Sequence, residues 1–583
     1  MTRLSLAMLV VAQLAFARPP AALHQAEVLA TSLGPTDGGV AGRAVPVTVR
    51  VQPSRSSRPS VNVTGDAGDH WLPTLWRAAF VAAAATDSSV TDHEFVLQVD
   101  GPIDGPSAGM LTAATLVALL RNKPPLTKTS MTGALNPDGS LGPVDEVLTR
   151  LSAAASAGVK RFGVPAGSRQ QLDASGRVVD LVTEGQRLGV TVRELGGLDD
   201  AYQFLTGDAL PRPAPAKESD LELWPAELAA IAKSTAQVRQ QLEVERASYE
   251  KSLGPAAAAT ARQRLERVTK QAMDFEQSGD PVRALVVWSA ALSLVRVGAE
   301  LRVLDERDAG SVLTAVERLE GALDTERAEF RRDVATRFPH TSRANDLYAM
   351  DLLESIAPEG AEPAPGARVQ QLGALPPGDA AFTRLARQFL EGLAQAREHV
   401  KNGRRFFDLY VALPTVKEAP ALDTERLAAS YAAAGAATFA ALEGRLTPDM
   451  KKDATAAELA GAGALLRSEA DARARLVMAA RQDVYSAYLV NTYSALGGSV
   501  DASGAFTVRN ARALSSQLEL ARLRLLQSCG RAKREARMIP LAARLRFLNA
   551  RAAREGTDRQ KTESLADLWI GSWWCELAAS QAK

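Results

Sequence analysis

Two cysteines in 583 residues, Cys529 and Cys575, are too few for a disulfide framework, so the chain folds on packing with one bridge at most. One bridge and two buried thiols are both open. Five histidines, none in His-x-x-x-His or Cys/His spacing, give no metal site. The formal net charge of +1 supplies no field to draw a polyanion. The basic stretch Arg531, Lys533, Arg534, Arg537 has the spacing of a solvated helix face, not of a nucleic-acid surface. No Gly-x-x-x-x-Gly-Lys-Ser/Thr loop occurs, so neither a nucleotide nor any other cofactor is expected. Beyond the first residues, no segment reaches the ~20 unbroken apolar residues that span a bilayer.

The apolar fraction of 46% and charged fraction of 23% are those of a folded protein, and the length calls for more than one core. Arg3, the apolar run Leu4 to Ala17 and the Ala15-Phe16-Ala17 ending read as an export signal over 1–17, with mature protein beginning near Arg18. Together with the Ala- and Arg-rich usage, this points to a bacterial periplasmic or extracellular protein.

Residues 18–210 mix strands and helices. Val45, Val47, Val49 and Val51 alternate as in a half-buried strand, and Val61 to Val63 is expected to return beside it as a hairpin. Helix is expected over Trp71–Ala85, Ser107–Leu120, Val144–Ala157 and Ser168–Ala174. Strand is expected over Glu94–Val99, Thr129–Leu135, Arg161–Val164 and Val190–Leu195. Pro211-Arg212-Pro213-Ala214-Pro215 opens a stiff spacer, 211–222, that marks a domain boundary. Two helical stretches, 223–356 and 380–583, follow on either side of a Pro/Gly-rich loop at 357–379. Ala272, Phe275, Gly279, Ala284, Trp288 and Ala291 match the packing positions of a tetratricopeptide hairpin, but the match occurs once and reads as a plain helix pair. Trp569 and Trp573, four apart on a helix, read as core.

The chemistry concentrates in Asp104-Gly105-Pro106-Ser107-Ala108-Gly109, between a strand and an apolar helix. A serine placed there sits at a helix N-terminus, where unpaired N–H groups and the dipole favour a developing oxyanion. The same pattern also serves as a turn with a helix cap.

This hexapeptide, with Met131-Thr132-Gly133, Asn136-Pro137-Asp138-Gly139-Ser140-Leu141-Gly142-Pro143-Val144 and the helix ending Ala157-Gly158-Val159-Lys160, resembles the Lon protease proteolytic domain, in its exported, ATPase-free branch. The resemblance covers about 25–207 and implies a Lon-type α+β domain followed by an all-α region. It implies Ser107 as nucleophile of a serine endopeptidase acting on unfolded polypeptide, Thr132 as its support, and Gly105, Pro106, Ala108 and Gly109 as the substrate-side frame. It also implies a ring-forming homo-oligomer. The partner of 223–583 is left unknown.

One departure bears on activity. The family's Gly-Gly-x-x-Glu-Lys stands here as Asp145-Glu146-Val147-Leu148-Thr149-Arg150, with Arg150 at the catalytic lysine's place. A lysine needs its pKa lowered by about 3.4, roughly 4.6 kcal/mol, to be half neutral at pH 7; an arginine needs about 7, roughly 9 kcal/mol. Lys128 and Lys160 are no substitutes, which leaves Asp104 and His93 as alternative bases. Two readings follow: an ATP-independent Lon-like serine endopeptidase with an unusual proton acceptor, or a pseudo-peptidase that keeps the fold as a peptide-binding or assembly scaffold.

Overall fold

The main sheet is built of β1 (His24–Thr36), β2 (Gly39–Pro53), β3 (Ser60–Ala67) and β4 (His93–Ile103), in the order β1-β2-β4-β3. The computed structural model describes residues 24–36, 39–54, 60–173, 175–306, 308–357, 366–411, 413, 419–501 and 503–580; the expected export signal lies outside them. β2 pairs antiparallel with both β1 and β4, and β3 lies parallel to β4 at the far edge. The expected hairpin of Val45–Val51 with Val61–Val63 is therefore not formed. Alternating valines fix the buried face of a strand but not its neighbour. β4, with Phe95, Leu97 and Val99 all buried, takes the central place.

The helices α1 (Trp71–Ala85) and α2 (Gly109–Leu120) share the main core with this sheet, and α2 is buried in all but its last residue. An all-round apolar helix of that kind belongs inside. The expected strand Thr129–Leu135 is split into β5 (Thr129–Met131) and β6 (Ala134–Leu135) at Gly133, whose φ of 148° is open to glycine alone. β6 pairs with β7 (Leu141–Gly142). A second core lies around α3 (Val147–Ser156), β8 (Arg161–Pro165) and α4 (Leu181–Arg187). The expected helix Ser168–Ala174 is instead a hairpin of β9 (Gln170–Leu172) and β10 (Val178–Asp180). Asp173 turns it by accepting from the backbone N–H groups of Ser175 and Arg177, and Asp180 caps α4. β11 (Thr191–Leu195) completes a parallel sheet ordered β11-β8-β5, and α5 (Leu198–Thr206) ends the unit.

The remainder is predominantly helical. One core gathers the helices from Pro225–Ser252 to Ala380–Val411, and another the helices from Thr424–Glu443 to Asp558–Ala579. There are three local departures from the sequence reading. Residues 211–222 are extended and then turn, but they are docked: the Ala216 N–H bonds the Leu526 carbonyl at 2.8 Å. The loop at 357–379 holds a short helix, Ala367–Gly373, with 358–365 outside the described residues. A small hairpin, Gly498–Val500 with Phe506–Val508, interrupts the helices.

Gly279 turns the expected helix pair Pro255–Gln277 and Pro281–Glu300 in the left-handed region, with Ala272, Ala284, Trp288 and Ala291 buried. The segment Pro281–Asp305 is apolar enough, at a mean hydropathy of 1.6, to cross a membrane by length and composition. It is not an unbroken apolar run, since Arg283 and Arg296 interrupt it, and Leu285, Trp288, Leu292 and Val295 are buried in the helical core. Cys529 and Cys575 are joined as a disulfide. Trp569 is core, as expected, while Trp573 is only partly buried.

The two regions are fastened by charge. Arg77 of α1 pairs with Asp483 at 2.8 Å, and Arg524 pairs with Asp199 at 2.8 Å. Arg531, expected on a solvated face, is 8% exposed: it donates to the Ala84 carbonyl and pairs with Asp87 and Glu576. Helical spacing could not disclose its burial, because Asp87, the carboxylate it meets across the two regions, is 444 residues away. Lys533 and Arg534 do face solvent.

Candidate active site

β4 ends at Ile103, and the chain turns through Gly105, at φ 98°, into a short 3₁₀ segment, Pro106–Ala108, that leads into α2. Ser107 thus sits at the positive end of a buried helix. Gly109 is needed for close approach, since a Cβ there would lie 2.9 Å from the backbone nitrogen of Leu135 in β6. The Ser107 carbonyl accepts from the Gly133 N–H at 2.7 Å and from Thr132 Oγ1 at 3.3 Å. Thr132, expected as the support of Ser107, thus bonds the serine's backbone carbonyl.

Arg150, on α3, reaches Ser107. Its Nη1 donates to Ser107 Oγ at 2.9 Å and to the Thr31 carbonyl at 2.8 Å, and its Nε donates to the Asp145 carbonyl at 3.0 Å. Ser107 Oγ in turn donates toward the same Thr31 carbonyl at 3.3 Å. Ser107 is 3% exposed and Arg150 6%. Burial pushes the guanidinium down to about 10, against the pull of Asp145 and Glu146. Near neutrality it remains a cation: only about one molecule in a thousand would carry it neutral at pH 7. The arrangement can orient Ser107 and attract negative charge, but the guanidinium has no free lone pair to receive the serine proton.

The turn into α3 bears the mark of the altered hexapeptide. Glu146, where the resemblance has its second glycine, adopts φ 55°, a left-handed conformation that costs a side-chain-bearing residue roughly 1–2 kcal/mol. Its Oε2 accepts from Thr149 Oγ1 at 2.8 Å.

The two alternative bases lie elsewhere. Asp104 Oδ1 accepts from the His70 backbone N–H, and it lies 3.2 Å from His70 Nδ1. Its Oδ2 is paired with Arg445 of the helical region. Burial works to raise its pKa, but the hydrogen bonds from His70 and Gly105 outweigh that and hold the carboxyl well below the usual range. So firm an anion is a weak base. His93 begins β4, edge-on to the Phe95 ring at 5.8 Å, a full strand of about 30 Å from the Ser107 turn. The carbonyl of Thr31 was not foreseen, since a backbone acceptor leaves no mark in sequence. Neither were His70 and Arg445, which meet Asp104 across 34 and 341 residues.

Residues 74–182 match the family model of the Lon protease (S16) C-terminal proteolytic domain. The mitochondrial Lon protease homolog of Caenorhabditis briggsae is 28% identical over 155 residues, covering 25% of this chain and 15% of that protein. The Lon protease of Koribacter versatilis is 34% identical over 103 residues, 18% of this chain and 12% of the relative. Lon protease 2 of Sorangium cellulosum is 36% identical over 81 residues, 14% and 10% of the two chains. The chain thus spans only a small part of the length of these relatives.

Proposed function

From the premise that its N-terminal part is a Lon-type proteolytic domain, we propose that this protein is a catalytically impaired pseudo-peptidase, in which the nucleophile is retained and its proton acceptor is lost. The supporting observation is the 2.9 Å bond from the Arg150 guanidinium to Ser107 Oγ. In a serine–lysine pair a neutral amine takes the hydroxyl proton. Here the same place holds a group that can only donate, and the hydroxyl's own hydrogen points to a main-chain carbonyl. The domain then serves as a peptide-binding or assembly scaffold, and the helical region, fastened to it by the arginine pairs, is the partner-binding part.

The second reading is an ATP-independent serine endopeptidase for unfolded segments, and the pKa of about 10 at Arg150 favours it in one respect. Toward pH 10 the neutral guanidine becomes appreciable, so Ser107 activation would grow tenfold per pH step below that value. Export to the periplasm or beyond belongs to the same proposal. Its support is the leader-like 1–17 and the disulfide Cys529–Cys575, a bond of oxidising compartments. A homo-oligomeric ring is proposed on resemblance alone.

A serine-directed fluorophosphonate tests the choice by mass shift at Ser107. The pseudo-peptidase stays unlabelled at pH 7 and becomes labelled in Arg150→Lys. Rapid labelling of the unaltered protein at pH 7 would contradict it.

A further inference from the structure

Arg150 is a buried cation that no carboxylate neutralises. The other deeply buried arginines among the described residues are each matched by negative charge. Arg544 pairs with Glu227, Arg531 with Asp87 and Glu576, and Arg473 with Asp471. Arg343 donates to the Ala578 carbonyl at 2.8 Å, at the negative end of the long helix Asp558–Ala579. Arg150 has neither kind of partner. Its acceptors are the Thr31 and Asp145 carbonyls and the Ser107 hydroxyl, all neutral. The carboxylates of Asp145 and Glu146 act on it only from a distance, from the exposed turn before α3, and that of Glu146 is engaged by Thr149.

Its position adds to the imbalance. Arg150 meets Ser107 just before the N-terminus of α2, so the cation stands at the positive end of a buried helix dipole. A desolvated charge is stable when it is paired, and an anion is the ordinary partner of a helix N-terminus. One nitrogen remains for that anion. Nε and Nη1 make all of the guanidinium's hydrogen bonds, and Nη2 donates to nothing among the described residues. Unlike the unpaired Nε atoms of Arg343 and Arg544, which are sealed in the interior, Arg150 Nη2 keeps some surface open to solvent. Its two N–H groups can only donate.

On the basis of the pseudo-peptidase reading, we propose that the Ser107 site binds a free carboxylate, held by Arg150 Nη2 at the positive end of α2. A lysine that must be neutral to take the serine proton cannot pair with a carboxylate at the same time, whereas a guanidinium charged at neutral pH can. Arginine at the lysine's place thus turns a proton acceptor into an anchor for an acid group. That group has two sources, the C-terminus of an unfolded polypeptide or a small acylated amino acid.

The test uses the full mature chain at pH 6 and a dye-labelled unstructured peptide, as the free acid and as the C-terminal amide, with binding read by fluorescence anisotropy. The acid is expected to bind saturably and at least tenfold more tightly than the amide. Arg150→Gln should lose that preference with circular dichroism unchanged, and Ser107→Ala/Arg150→Lys, which keeps a cation and cannot cleave, should retain it. Competition by N-acetyl-alanine as strong as by the peptide acid assigns the site to small carboxylic acids, and much weaker competition assigns it to chain ends. No saturable binding, equal affinity for acid and amide, or a preference that persists in Arg150→Gln overturns the proposal. Mass spectrometry of the recovered peptide tests the underlying reading separately. Peptide shortened by the unaltered chain would contradict the pseudo-peptidase, whereas intact peptide bound without regard to its terminus leaves that reading standing and removes only the carboxylate site.

Discussion

Arg445, in the helical region, pairs with Asp104, three residues before Ser107 and itself hydrogen-bonded to His70. The turn that presents the serine is thus pinned from outside its own domain. Both partners are substantially exposed, so the pair contributes about 0–1 kcal/mol to stability, and its effect should be local. In Arg445→Ala, hydrogen exchange at residues 101–109 is expected to rise severalfold with global stability almost unchanged. Unaltered exchange there would show that the pair restrains nothing.

The same carboxyl gives a pH dependence of known sign. Its pKa is lower folded than unfolded, so its contribution is present in full above about pH 4 and is lost as pH falls toward the folded value. Asp104→Asn should be less stable than the parent at neutral pH, with the gap closing in acid, as read from denaturant midpoints at each pH.

Arg544 and Glu227 form an ion pair with both side chains out of solvent, linking the first long helix to the C-terminal bundle. Arg544 also stacks over Trp224 at 4.5 Å. Removing one partner strands a buried charge, at a cost of about 3–5 kcal/mol. Glu227→Gln should lower the denaturation midpoint accordingly, and Glu227→Leu/Arg544→Met together should recover much of the loss.

Asp351 behaves oppositely to Asp104. Burial, with Glu354 adding repulsion, pushes its carboxyl up to about 7, although Tyr410 donates to it. A folded state that keeps a proton which the unfolded state has released loses stability as pH rises, here between about 4 and 7. Asp351→Asn should remove that slope; a slope unchanged in the variant would exclude this carboxyl as its source.

The readable parts of the sequence were those written in local pattern: the valine alternation of β2, the apolar helix α2, the glycines around Ser107 and the altered hexapeptide ending in Arg150. Strand order was not readable, because alternation says which face is buried and leaves the partner open. Ser168–Ala174 misled because Ser, Gln and Asp there serve a hairpin turn set by Asp173. Arg531 misled for a related reason: the spacing of basic residues on a helix does not reveal a carboxylate of another domain, Asp87, or one on a packed neighbouring helix, Glu576. What could not be read at all was which carbonyl would share the Arg150 guanidinium, and that bond to Thr31 helps hold the cation against Ser107.

The most direct measurement is turnover of an unfolded protein substrate by the mature chain and by Ser107→Ala and Arg150→Lys, from pH 6 to 10. At neutral pH the unaltered chain should match Ser107→Ala, while Arg150→Lys, whose lysine needs roughly half the pKa shift, should gain Ser107-dependent turnover of at least tenfold. Turnover by the unaltered chain at pH 7 that disappears in Ser107→Ala would contradict the account and establish a working serine peptidase with arginine at the lysine's place.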